Sequence, residues 1–247
     1  MAKDKLIYGI HSIEEALLAG KELDKIFLRR AMRGDDISRI KALARDRMIP
    51  VLSVPEEKLS RMTSKNHQGI VAYLSQIEYM PLEEVVNLTF EEGLLPFIVV
   101  LDGVTDVRNF GAIARTAECA GVDAIVIPGR GSVSVSGDAI KASAGALHRI
   151  PVCRVNSINE ALDILNNSGV RIVTASEKTD SNYTETDMTL PLAIVMGAED
   201  VGPSEESIRR ADEIVTIPQC GEIGSLNVSV AAGILIYEAV RQNGMKS

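Results

Sequence analysis

From residue 97 onward, short apolar runs and longer segments with helical spacing follow one another. Ile98–Leu101, Ala124–Ile127, Val152–Val155, Val170–Ala175, Leu192–Met196 and Ile214–Ile217 are almost wholly apolar. Runs of that length predict strands, and their lack of alternation predicts that both faces of the sheet are covered. Between them lie candidate helices at 110–120, 138–147, 158–166, 204–211 and 225–242. Asn109 stands where the first of these needs a cap, and Gly121 where it needs a stop. The alternation predicts an α/β fold, an open parallel sheet with helices on both faces.

Residues 1–75 carry a different pattern, that of a small α/β module. SIEEALLAG, from Ser12 to Gly20, predicts a helix with a Ser12–Glu15 capping box and a glycine stop. Strands are expected at 25–28, 50–54 and 70–74, an amphipathic basic helix at 37–47 and a short helix at 55–62. Residues 76–96 are acidic and bracketed by Pro81 and Pro96, which suggests a connection holding a helical turn or more. The expected organisation is thus a first domain at 1–75, a linker at 76–96 and a larger domain at 97–247.

The last stretch, IPQCGEIGSLNVSVAAGILIYEAVRQ from Ile217 to Gln242, is the most unusual. A strand end leads into a loop flanked by Gly221 and Gly224, and then into a helix apolar on nearly every side. Such a helix is expected to be buried on more than one face. Its first turn, Ser225-Leu-Asn227-Val-Ser229, is small and polar. Ser225 and Asn227 are residue types that accept from free N–H groups at a helix start. A capped helix is the plain reading, and a site at its polar mouth is the sharper one.

Composition narrows the function. The net charge is −8, with sequence pI near 5.0 and mean hydropathy +0.11. Residues 1–75, however, hold 14 Lys+Arg against 10 Asp+Glu, so the first module is net +4 and the remainder −12. That asymmetry fits a first module facing an anionic partner, or merely a mildly basic small domain. Arg29, Arg30, Arg33, Lys65 and His67 fall on its expected loops, where they could reach phosphates. No apolar run approaches the ~20 residues of a membrane span. The opening MAKDKLIYGIHS has no secretory pattern. Cys119, Cys153 and Cys220 are odd in number and far apart, which speaks against a disulfide framework and for a cytoplasmic location. No metal-ligand spacing, P-loop, GxSxG or complete GxGxxG is present.

In parallel sheets ligands sit beyond the carboxyl ends of the strands. Three loops leaving those ends carry unusual residues: Asp102–Asn109, Gly197–Gly202 and Gln219–Asn227. Arg115 is a long cation among Ile113, Ala114 and Ala117. Glu199 directly follows an apolar strand, where a carboxylate needs a partner. An Arg115–Glu199 pair is expected there, as a structural ion pair or as part of a site.

Taken together, DGVTDVRNFGAIARTAECAG, IVMGAEDVG and IPQCGEIGSLNVSVAAGILIYEAV resemble, in order and spacing, the three motifs of the SpoU/TrmH family of RNA ribose methyltransferases. YGIHSIEEAL and HQGIVA look like that family's N-terminal RNA-binding domain. The resemblance implies a C-terminal trefoil knot threaded by the third motif, whose Ala231, Ala232 and Gly233 would let backbones cross closely. It implies S-adenosylmethionine as cofactor, held around Gly197, Ala198, Ile217, Gln219, Gly221 and Leu226, and a homodimer with the site near its interface. Asn109, Arg115, Glu199, Ser225 and Asn227 match the family's active-site positions. The likeness is strongest to the branch that methylates a guanosine of 23S ribosomal RNA. A tRNA methyltransferase and a non-catalytic RNA-binding assembly protein are the alternatives. Two positions depart from the family pattern. Val107 stands where proline is usual, and Asp200 where glycine is usual, which leaves loop geometry open. A guanidinium stays charged at ordinary pH, so Arg115 is expected to bind a substrate phosphate rather than act as a base.

Overall fold

The structure, a computed structural model, describes residues 6–133 and 135–244. Residues 1–5, the start of the segment read for a secretory signal, lie outside them, as do residue 134 and residues 245–247 of the larger expected domain. The chain forms two compact units, the first centred on residues 6–78 and the second on 79–133 and 138–244.

In the first unit, β1 (Leu6–Tyr8), β2 (Leu23–Arg29), β3 (Val51–Val54) and β4 (Ile70–Leu74) form a sheet of order β1-β4-β2-β3. Only the β2–β3 pair is parallel. Successive side chains of a strand point to opposite faces. Ile26 and Leu28 of β2 and Ile70 and Ala72 of β4 therefore face α1 (Ile10–Leu18) and α2 (Asp35–Asp46). Phe27 and Val71 face Leu59 of α3 (Glu56–Met62). The Ser12–Glu15 capping box does not form, because α1 starts two residues earlier, with Gly9 at its N-cap. The orphan Ile10 N–H donates instead to Gln68 Oε1 at 3.0 Å, from a residue 58 positions away.

The second unit contains a six-stranded sheet among the described residues. Its strands are β5 (Phe97–Asp102), β6 (Ala124–Pro128), β7 (Val152–Val155), β8 (Arg171–Ala175), β9 (Leu192–Gly197) and β10 (Glu213–Val215). All pair in parallel, in the order β10-β8-β9-β5-β6-β7. Ile98 and Val100 of β5 and Ala193 and Val195 of β9 pack on α4 (Leu82–Glu91) and α7 (Ile158–Asn167). The stretch 76–96 is therefore more than a connection: Leu82, Val85 and Val86 of α4 belong to this core. α5 (Val107–Cys119) packs against α9 (Val228–Asn243), and α9 packs against β9. The helix expected at 138–147 is two pieces, α6 (Gly137–Ala142) and a 3-10 turn (Ala146–His148). Ala144 and Gly145 break it with φ of 51° and 89°. α8 (Glu205–Arg210) precedes β10.

Two expectations about helix starts are corrected. Asp106, not Asn109, caps α5, its Oδ1 accepting from the N–H groups of Arg108 (2.8 Å) and Asn109 (3.1 Å). α9 begins at Val228, not Ser225, with Asn227 as its cap. Nor is α9 buried all round. Val228, Ala232, Leu235, Ile236 and Ala239 are buried, whereas Val230 and Tyr237 are each 50 % exposed. Its far end is tied down by polar groups. Gln242 Oε1 accepts from Met188 N, and Asn243 Oδ1 accepts from Leu190 N. No helix among the described residues is long and apolar enough to cross a membrane.

Candidate active site

β5 and β9 are neighbours in the sheet although 95 positions separate Asp102 from Gly197. Their register pairs Asp102 with Gly197, so the loops that follow leave the sheet at the same level. This is also where the strand order reverses: β6 and β7 lie to one side of β5, and β9, β8 and β10 to the other. Such switch points are where α/β sheets hold ligands.

The loop after β9 is tightly built. Ala198 and Gly202 exchange backbone hydrogen bonds of 3.1 and 2.9 Å, leaving Glu199, Asp200 and Val201 at the tip. Gly202 has φ of +75°, and a Cβ on Gly197 would lie 2.0 Å from Pro203 N. Only glycine fits at 197. Asp102 Oδ2 accepts from Ser204 N and from Ser207 Oγ, both at 2.7 Å, which straps this loop to the end of β5. Asp102 thus holds the loop in place. Asp200, the departure in the second motif, is exposed at the tip.

The loop after β5 brings Asn109 to this tip. With Asp106 serving as the cap, the Asn109 side chain is free to work elsewhere. Its Nδ2 donates to Glu199 Oε1, and its Oδ1 accepts from Asn227 Nδ2 at 3.1 Å. Asn227 Oδ1 in turn accepts from Ser229 N (2.9 Å) and Ser229 Oγ (2.6 Å). Three expected site residues, from three loops, are therefore in contact. Asp106 is held below the ordinary carboxylate range, first by the Arg108 guanidinium and then by the two N–H groups it caps.

Arg115 does not join them. It is exposed on α5 and makes no ion pair with Glu199. Six residues of helix carry it ~9 Å along the axis from Asn109 and ~120° around it. The expected Arg115–Glu199 pair is replaced by Asn109–Glu199.

Beside the cluster lies a cavity of about 520 Å³ at the carboxyl ends of β8, β9 and β10. Gly197, Ala198, Glu199, Ile217, Gln219, Ser225 and Leu226 line it. Gly221 does not line it; it is exposed, with open space around its Cα. The Gln219 side chain donates back to Ile217 O at 2.9 Å and stiffens the loop. Sequence reasoning missed Ser176, Glu177 and Lys178, which follow β8 and line the same cavity. The rule about carboxyl ends covers them too, but that β8 lies beside β9 had no sequence signal.

In the first unit, Arg30 and Lys65 are exposed, whereas Arg29 is paired with Glu56 at 2.9 Å. His67 is buried, and its Nδ1 accepts from Gly69 N at 3.1 Å, so its ring builds the turn. This corrects its reading as a phosphate-reaching residue.

Residues 96–237 match the SpoU rRNA Methylase family, and residues 6–80 match the RNA 2'-O ribose methyltransferase substrate-binding domain. The chain belongs to the SpoU/TrmH family of RNA 2'-O-methyltransferases. It is 35% identical over 237 residues to a TrmH family tRNA/rRNA methyltransferase of Staphylococcus saprophyticus, covering 96% of this chain and 95% of that one. Among solved structures it is similar to an AdoMet-bound rRNA methyltransferase from Sinorhizobium meliloti, at TM-score 0.59 and 28% identity over 96% of this chain and 86% of that one. It is also similar to the A. aeolicus TrmH/SpoU tRNA modifying enzyme, at TM-score 0.54 and 32% identity over 65% of this chain and 80% of that one. In this family's terms, the first, second and third motifs supply Asn109, Glu199 and Asn227 of the cluster.

Proposed function

We propose that this protein transfers a methyl group from S-adenosylmethionine to a ribose 2'-hydroxyl of RNA, a guanosine of 23S ribosomal RNA, in the cytoplasm. The observation that carries this reading is the Glu199–Asn109–Asn227 cluster at the rim of the cavity. The cavity suits such a cofactor. Its volume is in the usual range for small-molecule sites, and it combines apolar walls (Met196, Leu226, Val228) with backbone at Gly197 and Ile217 and charges at Glu177 and Lys178. When bound, the cofactor supplies an electrophilic methyl on a good leaving group. The protein's own task is to place the hydroxyl and to stabilise the charge that grows on its oxygen. In this reading Asn109, Asn227 and Ser225 orient the nucleotide. Arg115, exposed and outside the cluster, binds the phosphate of the incoming RNA through its planar fork, and that phosphate assists removal of the proton the hydroxyl loses as the C–O bond forms.

The same reading includes a trefoil knot and a homodimer. For the knot, the chain must pass from edge strand β10 back to α9 beside β9, and Gln242 and Asn243 clasp the segment before β9. For the dimer, Val230 and Tyr237 leave an apolar face of α9 open to a second copy. Methyl transfer from labelled cofactor to unmodified ribosomal RNA, and separately to unmodified tRNA, tests the whole. Label in ribosomal RNA is expected. Arg115→Ala should lower it by on the order of 10²–10³-fold, as for loss of one oriented charge at a reacting centre. Arg115→Lys should fall well below wild type, since a point charge lacks the fork; near-full activity there would sink the phosphate role. Label only in tRNA would move the substrate.

A further inference from the structure

Ser229, Asn227, Asn109 and Glu199, the last of which lines the cavity, form a chain of hydrogen bonds with a direction, and both of its ends fix that direction. At one end, Ser229 N–H can only donate, so the Asn227 atom facing it at 2.9 Å must be the amide oxygen. The nitrogen of Asn227 then faces Asn109, which must present oxygen, at 3.1 Å. Asn109 is left with its nitrogen toward Glu199, and an ionised carboxylate only accepts. Amide orientation is ordinarily ambiguous by shape alone. Here the two ends agree, and neither amide can turn without placing oxygen against oxygen. Each amide nitrogen has two hydrogens and spends one within the chain, so each keeps a second N–H.

We propose that Ser229 is a positioning residue which, through its N–H and its 2.6 Å hydroxyl contact to Asn227 Oδ1, sets the polarity of the Ser229–Asn227–Asn109–Glu199 chain so that both amides present donors rather than acceptors at the rim. Under the methyl-transfer reading, on which the functional part rests, those donors face the nucleotide whose oxygen gains negative charge. A turned amide would offer a carbonyl there and oppose that charge. Ser229 touches neither nucleotide nor cofactor in this scheme; it acts through Asn227.

The polarity can be tested without any RNA. Asn227→Asp keeps the helix cap, since aspartate accepts from Ser229 N equally well. It removes the donor to Asn109, forces Asn109 to turn, and sets the Asn109 oxygen against Glu199. Glu199→Gln by itself should leave Tm nearly unchanged, because glutamine can still present oxygen. In the double variant Asn227→Asp/Glu199→Gln, glutamine can donate to the turned Asn109. Tm should therefore fall in Asn227→Asp and recover in the double variant. Additive or worse than additive loss in the double variant would overturn the polarity. The second measurement is the split between kcat and cofactor affinity on in vitro transcribed ribosomal RNA and tRNA. Ser229→Ala keeps the N–H that fixes the polarity but removes the hydroxyl that holds Asn227 Oδ1 in place, and should lower kcat by about tenfold, with cofactor Kd within about twofold. Ser229→Thr, which keeps the hydroxyl, should rescue most of it. Unchanged kcat in the alanine variant, or an equal fall in both variants, would overturn the positioning role. If the wild-type protein methylates neither RNA, the functional reading fails, and the Tm cycle alone decides the polarity.

Discussion

In the first unit, Arg39 pairs with Glu14 and Asp36, and Arg29 with Glu56, all on an exposed surface and from residues no more than 27 positions apart. In the second, Asn109 meets Glu199 from 90 positions away and Asn227 from 118. Surface pairs of the first kind contribute ~0–1 kcal/mol each and are screened by salt. The contacts of the second kind exist only because β5 and β9 end at one level, over a turn with no spare room. A mixed sheet with two helices on one face and one on the other presents a charged surface. A parallel sheet gathers distant loops at one edge and holds them rigidly enough to orient polar atoms.

One added methyl group in each unit should separate the two most strongly. Gly197→Ala would put Cβ at 2.0 Å from the backbone nitrogen of Pro203, which cannot give way. The expected loss is about 3 kcal/mol or more, read by denaturant unfolding. Gly69→Ala meets Met32 Sδ at 2.9 Å, the far end of a flexible side chain, and φ of +79°. Its loss should be about 1–2 kcal/mol, mostly from the left-handed backbone. Equal losses would show that the second unit is not the more rigid. Next in size, Asp102→Ala removes the acceptor for Ser204 N and Ser207 Oγ and should cost about 2 kcal/mol. Arg39→Ala should cost less than about 1 kcal/mol.

The smallest effect is read by pH. Glu238, its side chain 7% exposed, is held below the ordinary carboxylate value, first by Arg241 and then, with desolvation opposing, by Gln242. Glu56 is lowered chiefly by Arg29, on an open surface. A depressed native pKa adds stability above the ordinary value of 4.5, and that stability is lost as pH falls through the native value. Glu238→Gln and Glu56→Gln should each flatten the acid side of the stability curve. In 1 M salt only the Glu238→Gln difference should persist, because screening reaches the exposed pair first. Equal salt sensitivity would erase the contrast between the units.

Much of the fold was legible in the chain. Apolar runs located the strands from β2 to β10 within a residue or two, because periodicity reports burial and burial is local to a strand or helix face. The polar loops at 102–109, 197–202 and 219–227 were legible for the same reason. Helix starts were read less well. Ser12 and Asn109 have the chemistry of caps, but Gln68 and Asp106 took those roles by lying closer to the orphan N–H groups. α9 looked buried on all sides because composition counts apolar residues without saying what covers them, and Val230 and Tyr237 stayed exposed. Contact between distant residues was settled by packing in three dimensions. Nothing local tells β9 to lie beside β5, or Glu199 to meet Asn109 rather than Arg115. That outcome follows from strand order and register, which depend on the packing of the whole sheet and leave no trace in any single segment.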